Sequence, residues 1–262
     1  MSSWGFTLKN ITTRWNPQGK NILENISFSL QIADENDAML PLMGPSGQGK
    51  STLLYLLATL KWPTSGEIIW QFPEGTSYVL GQQGHHIQAD QAVQLRRQVF
   101  GFAFQDSTLS PHMTILENIA YPLLSQQKTW QTALAMAEEK LDEVLLPIEK
   151  ADKTTLMHSF PTQLSGGQRQ RAALAQAIIH NPRVLFADEP TGQLDHHTRK
   201  QVMSKLKQWV KQGQGQRCLI WVTHHHVDDL DLMGIDKLLF VENRTCIPRD
   251  RQWLAAWMND EG

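Results

Sequence analysis

Cysteine is nearly absent. Cys218 and Cys246 are the only two in 262 residues, and neither belongs to a Cys-x-x-Cys pair. Their scarcity predicts reduced thiols in a cytosolic protein and gives no basis for a disulfide framework. A dominant sign of charge is missing too. Lys and Arg total 24 against 26 Asp and Glu, a net charge of −2, so no strong overall field points toward nucleic acid or an anionic membrane surface. No apolar run approaches the ~18 residues that span a bilayer; the greasiest stretch is Leu53 to Leu60. The opening Met1 to Phe6 lacks the basic-then-apolar layout of a leader. Internal repeats and low-complexity linkers are also wanting. The expectation is a chain soluble on its own, with any membrane role arriving through a partner.

What is present is a hydrophobic share of 41%, enough for a substantial core in one large α/β domain or two smaller ones. Apolar alternation in Phe6 to Ile11 and in Ile22 to Leu30 predicts an opening pair of half-buried strands. A compact strand, Met39 to Met43, runs into a glycine-rich turn and a helix carrying Leu53, Leu54, Leu56, Leu57 and Leu60. Pro41 lies inside that strand, where it removes a ladder hydrogen bond, so a later start is expected. A turn at Pro63-Thr64-Ser65-Gly66 precedes a strand at Glu67 to Trp70, and residues 73–92, rich in Gly, Gln and His, read as a surface excursion. Trp130, Ala133, Leu134, Ala137, Leu141, Val144 and Leu145 recur at helical spacing and form a packing face. Ser165 to Ile179 is a second helix, stopped by Asn181-Pro182. Val184 to Ala187 and Cys218 to Val222 resemble buried parallel strands, with a helix at Thr198 to Val210 between them. Leu238 to Val241 is a further strand and Trp253 to Trp257 a terminal helix. This order predicts an α/β core with a helical subdomain inserted over about residues 106 to 180.

Gly44-Pro45-Ser46-Gly47-Gln48-Gly49-Lys50-Ser51-Thr52 fits the phosphate-loop pattern G-x-x-x-x-G-K-[ST], between an apolar strand and a leucine-rich helix. Its glycines let backbone N–H groups wrap phosphates at the positive end of the helix. Lys50 reaches the β- and γ-phosphates, and the Ser51 hydroxyl ligates Mg²⁺. Val184 to Glu189 is an apolar strand ending in two carboxylates. At the mouth of a parallel sheet Asp188 stands beside the metal and Glu189 faces the γ-phosphate, where it polarises an attacking water; alone, the same letters read equally as a strand-end loop. Leu164-Ser165-Gly166-Gly167-Gln168 opens a helix with a hydroxyl, bare amides and the helix dipole, a second anion site. The bland alternative is an N-cap with flexible glycines.

Leu164 to Gln168 resembles the signature of ABC ATPases, just upstream of a Walker-B strand. With Asp188-Glu189-Pro190-Thr191-Gly192-Gln193-Leu194-Asp195 it identifies the chain as a member of that family over roughly residues 6 to 245. The resemblance implies a P-loop NTPase core with a mostly parallel sheet, an N-terminal antiparallel β subdomain and the inserted helical subdomain, all within one domain spanning 1–262. It implies ATP and Mg²⁺ as cofactors. Gln105 matches the glutamine that contacts Mg²⁺ and water. Asp195 matches the aspartate that crosses the dimer interface, and His224 the switch histidine on the γ-phosphate. Trp15 falls near the aromatic that stacks on adenine, and reads equally as a strand-edge packing residue. His224-His225-His226 suggests a metal cluster only until one notes that consecutive residues on a strand end point different ways. Arg169 and Arg171 lie beside a phosphate site, and nucleic-acid binding is not needed to explain them.

In this family two head-to-tail subunits enclose two nucleotides, the Ser165-Gly166-Gly167 segment of one completing the phosphate loop of the other. Pro111, Thr114, Glu117 and Asn118, after the glutamine, are similar to the region that receives a permease's coupling helix in the lipoprotein-release, macrolide-export and cell-division branch. Leu95-Arg96 follows the same branch. The usual Gly-Glu before the loop strand is replaced by Asp34-Glu35-Asn36-Asp37. The resemblance thus implies an active ATPase on the cytoplasmic face of a membrane, bound through integral-membrane permease subunits. The rivals are a soluble ABC ATPase acting on ribosomes or DNA, a force-transmitting motor without cargo, and a regulatory module without turnover. The last conflicts with the presence of both Glu189 and His224.

Overall fold

The computed structural model describes residues 4–81, 89–104, 108–192, 194–224 and 226–260. In chain order it runs β1 (Trp4–Thr13), β2 (Leu23–Ile32), β3 (Met39–Met43), α1 (Lys50–Leu57), β4 (Ser65–Gln71), β5 (Ser77–Gly81), α2 (Ala89–Gln94) and, after a π-helical turn, β6 (Phe100–Phe104). There follow α3 (Ile115–Leu124), α4 (Trp130–Val144), α5 (Pro147–Lys150), α6 (Lys153–His158) and α7 (Gly166–Ile178). The chain closes with β7 (Val184–Asp188), α8 (His196–Gln212), β8 (Cys218–Val222), α9 (His226–Met233), β9 (Lys237–Glu242), β10 (Thr245–Asp250) and α10 (Arg251–Asp260).

An antiparallel sheet has the order β2-β1-β4-β5, and a second sheet the order β10-β9-β3-β8-β7-β6. In the second, all neighbours are parallel except the terminal β10–β9 pair. Every residue of β3 and β8 is buried, as strands covered on both faces require. One ring bridges the two sheets at their centre, while β2 also packs against β10 at the edge. Trp70 of β4 contacts Phe6 of β1 (centroids 5.0 Å), Phe100 of β6 (5.6 Å) and Phe186 of β7 (6.2 Å). The helices α3, α4 and α7 pack on one another, with Ala133, Ala137 and Leu141 of α4 buried in their seam. The parallel strands β3, β6, β7 and β8 all point their C-terminal ends the same way, and in open α/β sheets that edge is where ligands bind.

Some expectations need correction. Pro41 sits within β3, which starts at Met39. Ala38 and Leu42 carbonyls accept from Leu219 and Thr223 of the β8 side, so the nitrogen of Pro41 faces β9. Pairing with β9 begins only at Leu42, and the missing N–H costs no rung. Leu60 lies beyond α1: Thr59 turns left-handed (φ +58) and the Leu60 N–H reaches back to the Tyr55 carbonyl, a terminating motif that ends the helix early. The 73–92 stretch holds β5, paired with β4 from Glu67↔Gly81 to Gln71↔Ser77. Arg171 is buried and paired with Glu149 on α5, and Arg169 donates to the Leu164 carbonyl, so both guanidiniums are already engaged within the chain. Cys218 and Cys246 are free and buried. No helix among the described residues is long and apolar enough to cross a membrane.

Candidate active site

From Met43 the chain turns through the glycine loop into α1. Gly44 (φ +129) and Gly49 (φ +100) lie where L side chains are strained, and both are closely packed. An added Cβ at Gly44 would meet the Val241 carbonyl oxygen at 2.1 Å, and one at Gly49 the Ile22 side chain at 2.9 Å. The loop backbone is thereby folded down onto the first turn of α1, whose free N–H groups form an anion site. Lys50 is 5% exposed. Its ammonium donates to the Gly44 and Pro45 carbonyls, each at 2.8 Å. Burial lowers its pKa, partly opposed by the negative charges of Glu189 and Asp188.

Asp188 ends β7, level with Phe104 on β6 and Val222 on β8. Ser51 donates its hydroxyl to Asp188 Oδ1 at 3.0 Å, and Tyr55 donates its phenol to Oδ2 at 3.0 Å. Burial raises the Asp188 pKa, while those two hydrogen bonds oppose the rise. The Tyr55 phenol is pushed up to about 12, by burial first and then by the adjacent carboxylate. A hydroxyl and a carboxylate oxygen brought together on the phosphate side of a sheet form a hard-oxygen pair suited to a divalent cation such as Mg²⁺.

Glu189 follows at φ +47, in the left-handed region, with its N–H on the Val222 carbonyl (3.2 Å). Strain of this kind is found where the surroundings fix a functional side chain. The turn brings its carboxylate to His224, whose Nε2–H donates to Glu189 Oε1 at 2.7 Å. His224 is itself anchored from behind. The preceding Thr223 donates to Asp229, and Asp229 pairs with Arg199 of α8 through Nε (3.1 Å) and Nη2 (2.7 Å). Arg199, Thr223 and Asp229 are all buried.

Trp15, Ser46, Gly47, Gly49, Lys50, Ser51, Thr52, Glu189 and His224 line one open cleft of about 310 Å³, with Ile22 on its wall. Trp15 stands at the rim, 59% exposed. Its Nε1–H donates to Thr52 Oγ1 (3.2 Å), and the Lys61 ammonium lies 4.4 Å from its ring centroid. Ser165, Gly166, Gly167, Gln168 and Asp195 are absent from this lining. Ser165 is the N-cap of α7 in a reciprocal capping box with Gln168 (3.3 and 3.0 Å). Gly167 lets α8 approach, since a Cβ there would sit 2.6 Å from Thr198. Asp195 caps α8, accepting from the His197 and Thr198 N–H groups at 3.0 and 3.1 Å; a hydrogen bond from the Thr198 side chain, followed by these backbone bonds, holds its pKa down. Gln105 lies outside the described residues, as do His225 and the His85-His86 pair.

Thr114, Glu117 and Asn118 have visible structural work besides any docking role. Thr114 and Glu117 form the capping box of α3. Buried Asn118 accepts from the Ser110 N–H (2.6 Å) and donates to the Ser110, Met113 and Thr114 carbonyls. Sequence reasoning missed Tyr55 and the Arg199–Asp229 pair. For Tyr55 a signal existed, since it stands one helical turn after Ser51 and shares its face.

The ABC transporter family pattern matches residues 23–192. The chain is 38% identical over 185 residues to the ABC transporter ATP-binding protein YxdL of Bacillus subtilis, covering 71% of this chain and 64% of that protein. It is 36% identical over 211 residues to the uncharacterised ABC transporter ATP-binding protein MJ1508 of Methanocaldococcus jannaschii (80% and 86% covered). To the lipoprotein-releasing system ATP-binding protein LolD of Wigglesworthia glossinidia brevipalpis it is 37% identical over 201 residues (76% and 79%). Among solved structures, the ATP-binding cassette MJ0796, described as a dimer in a post-hydrolysis state bound to ADP and Pi, superposes with a TM-score of 0.74. Identity there is 26%, over 94% of this chain and 98% of that one. The phosphate loop, the carboxylates closing β7 and these likenesses agree: the chain belongs to the ABC transporter family, as its ATP-binding and ATP-hydrolysing subunit.

Proposed function

We propose that this subunit binds ATP in the cleft under Trp15 and hydrolyses it in a head-to-tail pair with a second copy or a homologous subunit, driving permease partners on the cytoplasmic face of a membrane. The carrying observation is the joining of Lys50, Ser51, Glu189 and His224 around one cleft whose lining lacks Ser165, Gly166, Gly167, Gln168 and Asp195. Half of an anion cage is built from α1, and the other half starts at the capped terminus of α7, where Ser165 and Gly166 are exposed and available to a neighbour. Trp15 would stack on adenine, Lys50 and the Gly44–Thr52 loop would hold the phosphates, and Ser51, Asp188 and Gln105 would hold Mg²⁺, which when bound would neutralise phosphate charge. Glu189, pinned at one oxygen by His224, accepts the proton of the attacking water at the other. Asp195 contacts the partner across the pair. ATP favours the closed dimer and hydrolysis removes that preference, a population shift that becomes work when something is attached to the helices.

The whole chain, 1–262, is read as one cassette with residues about 106 to 180 as the helical subdomain. A second cleft of about 340 Å³ supports a permease reading. It lies between β6 and the helices α3 and α7, lined by Phe102, Phe104, Pro122 and Gln176 with Arg96 and Arg97. Tyr121 and Leu124 of α3 are exposed. The likeness to the lipoprotein-releasing LolD supports the lipoprotein-release branch.

Ser165→Arg tests the composite site. It fills the neighbour's cage and abolishes ATP-driven dimerisation and turnover, while ATP binding to the isolated subunit, measured by calorimetry, stays within about twofold. A monomer unable to bind ATP would place Ser165 in its own subunit's pocket and break the head-to-tail reading.

A further inference from the structure

Each oxygen of Asp188 is held by a donor from the same helix. Ser51 reaches Oδ1 and Tyr55 reaches Oδ2, both at 3.0 Å, and the two donors stand four residues apart on one face of α1. The carboxylate plane is therefore locked to the helix whose first turn is the phosphate loop itself. Terminal carboxylate torsions are otherwise broad, so without such a clamp the orientation would have to be fixed when a ligand arrives. The Tyr55 ring is fixed in turn, edge-on to Trp15 (centroids 6.4 Å, 79°) and to Phe104 (6.0 Å, 88°). A phenol is a neutral donor. It orients the carboxylate without placing a second positive charge where a cation must bind, as a lysine or arginine would.

We infer that Tyr55 is a positioning residue for Asp188, holding the carboxylate in the orientation that receives the divalent cation of a bound nucleotide. The inference rests on the nucleotide site proposed above. Its hydroxyl lies outside the ligand set and acts through Asp188, and hydrogen-bond partners of metal ligands typically contribute 10–100-fold to metal affinity. Its ring has a separate task, backing Trp15.

The two tasks separate in a binding cycle. The affinity for a slowly hydrolysed ATP analogue is measured by calorimetry in EDTA and again in excess Mg²⁺, and the ratio of the two dissociation constants is the metal-dependent gain. Tyr55→Phe keeps the ring. Its EDTA affinity is expected within about twofold of the parent, while the gain falls about tenfold. Tyr55→Leu removes ring and hydroxyl, and is expected to lose the same gain and, in addition, EDTA affinity. A Tyr55→Phe protein with the parent's gain overturns the inference, because a purely structural residue would leave the ratio unmoved. A Tyr55→Leu protein that retains the gain overturns it equally. A parent that binds the analogue with no metal-dependent gain removes the cation from Asp188, and the inference with it. A parent that does not bind the analogue at all refutes the nucleotide site instead.

Discussion

Replacing the Glu189 carboxylate by an amide, Glu189→Gln, separates chemistry from binding at this site. The change preserves volume, and the amide oxygen still accepts the His224 Nε2–H bond now made at 2.7 Å. What is lost structurally is the charge assistance of one partly exposed hydrogen bond, about 1 kcal/mol at most. What is lost chemically is the base. General-base catalysis is worth about 10²- to 10⁴-fold, or roughly 2.7–5.4 kcal/mol on the barrier, so the chemical loss exceeds the structural one severalfold. ATP binding should persist, because Lys50 and the loop amides are untouched and a negative charge facing the γ-phosphate is gone. The variant is therefore expected to accumulate an ATP-bound dimer visible by gel filtration, with phosphate release reduced at least about a hundredfold. Phosphate release within about threefold of the parent, from a protein of unchanged melting temperature, would refute the role given to Glu189.

Trp15→Ala removes an aromatic face and should weaken ATP binding roughly three- to tenfold, with Trp15→Tyr restoring most of it; equal affinities for all three proteins in a calorimetric titration would place the adenine contact elsewhere. Asp229→Ala leaves the Arg199 guanidinium buried without its main partner. That should cost about 3–5 kcal/mol and lower the melting temperature by roughly 10 °C; a shift under about 2 °C would show that the pair does not brace the strand end.

The phosphate loop was legible in the sequence because its requirement is local. Nine consecutive residues, Gly44 to Thr52, supply the left-handed turns, the amides and the cation, and the flanking strand and helix announce themselves by their apolar residues. The same holds for the buried strand that delivers Asp188 and Glu189, and for the capped helix start at Ser165. Each is a short segment whose letters dictate its own backbone. The parallel core followed from the order of strands and helices, since short apolar runs separated by helices leave few other arrangements.

Tertiary structure decided whatever depends on which segments become neighbours. Tyr55 and Asp188 are 133 residues apart and Arg199 and Asp229 are 30 apart, and nothing local to either partner names the other. The early end of α1 required Thr59 to turn left-handed, with the Arg96 guanidinium on its carbonyl (2.8 Å). Pro41 is harmless only because the β3–β9 ladder begins one residue later, an offset set by the register between strands nearly two hundred residues apart. β5 escaped notice because five residues with no clear alternation become a strand by completing the edge beside β4. Local chemistry thus specified the phosphate loop and the acidic strand end. Packing between distant segments decided how the acid is oriented, how His224 is braced, and that the capped α7 terminus stands outside the cleft lined by Lys50.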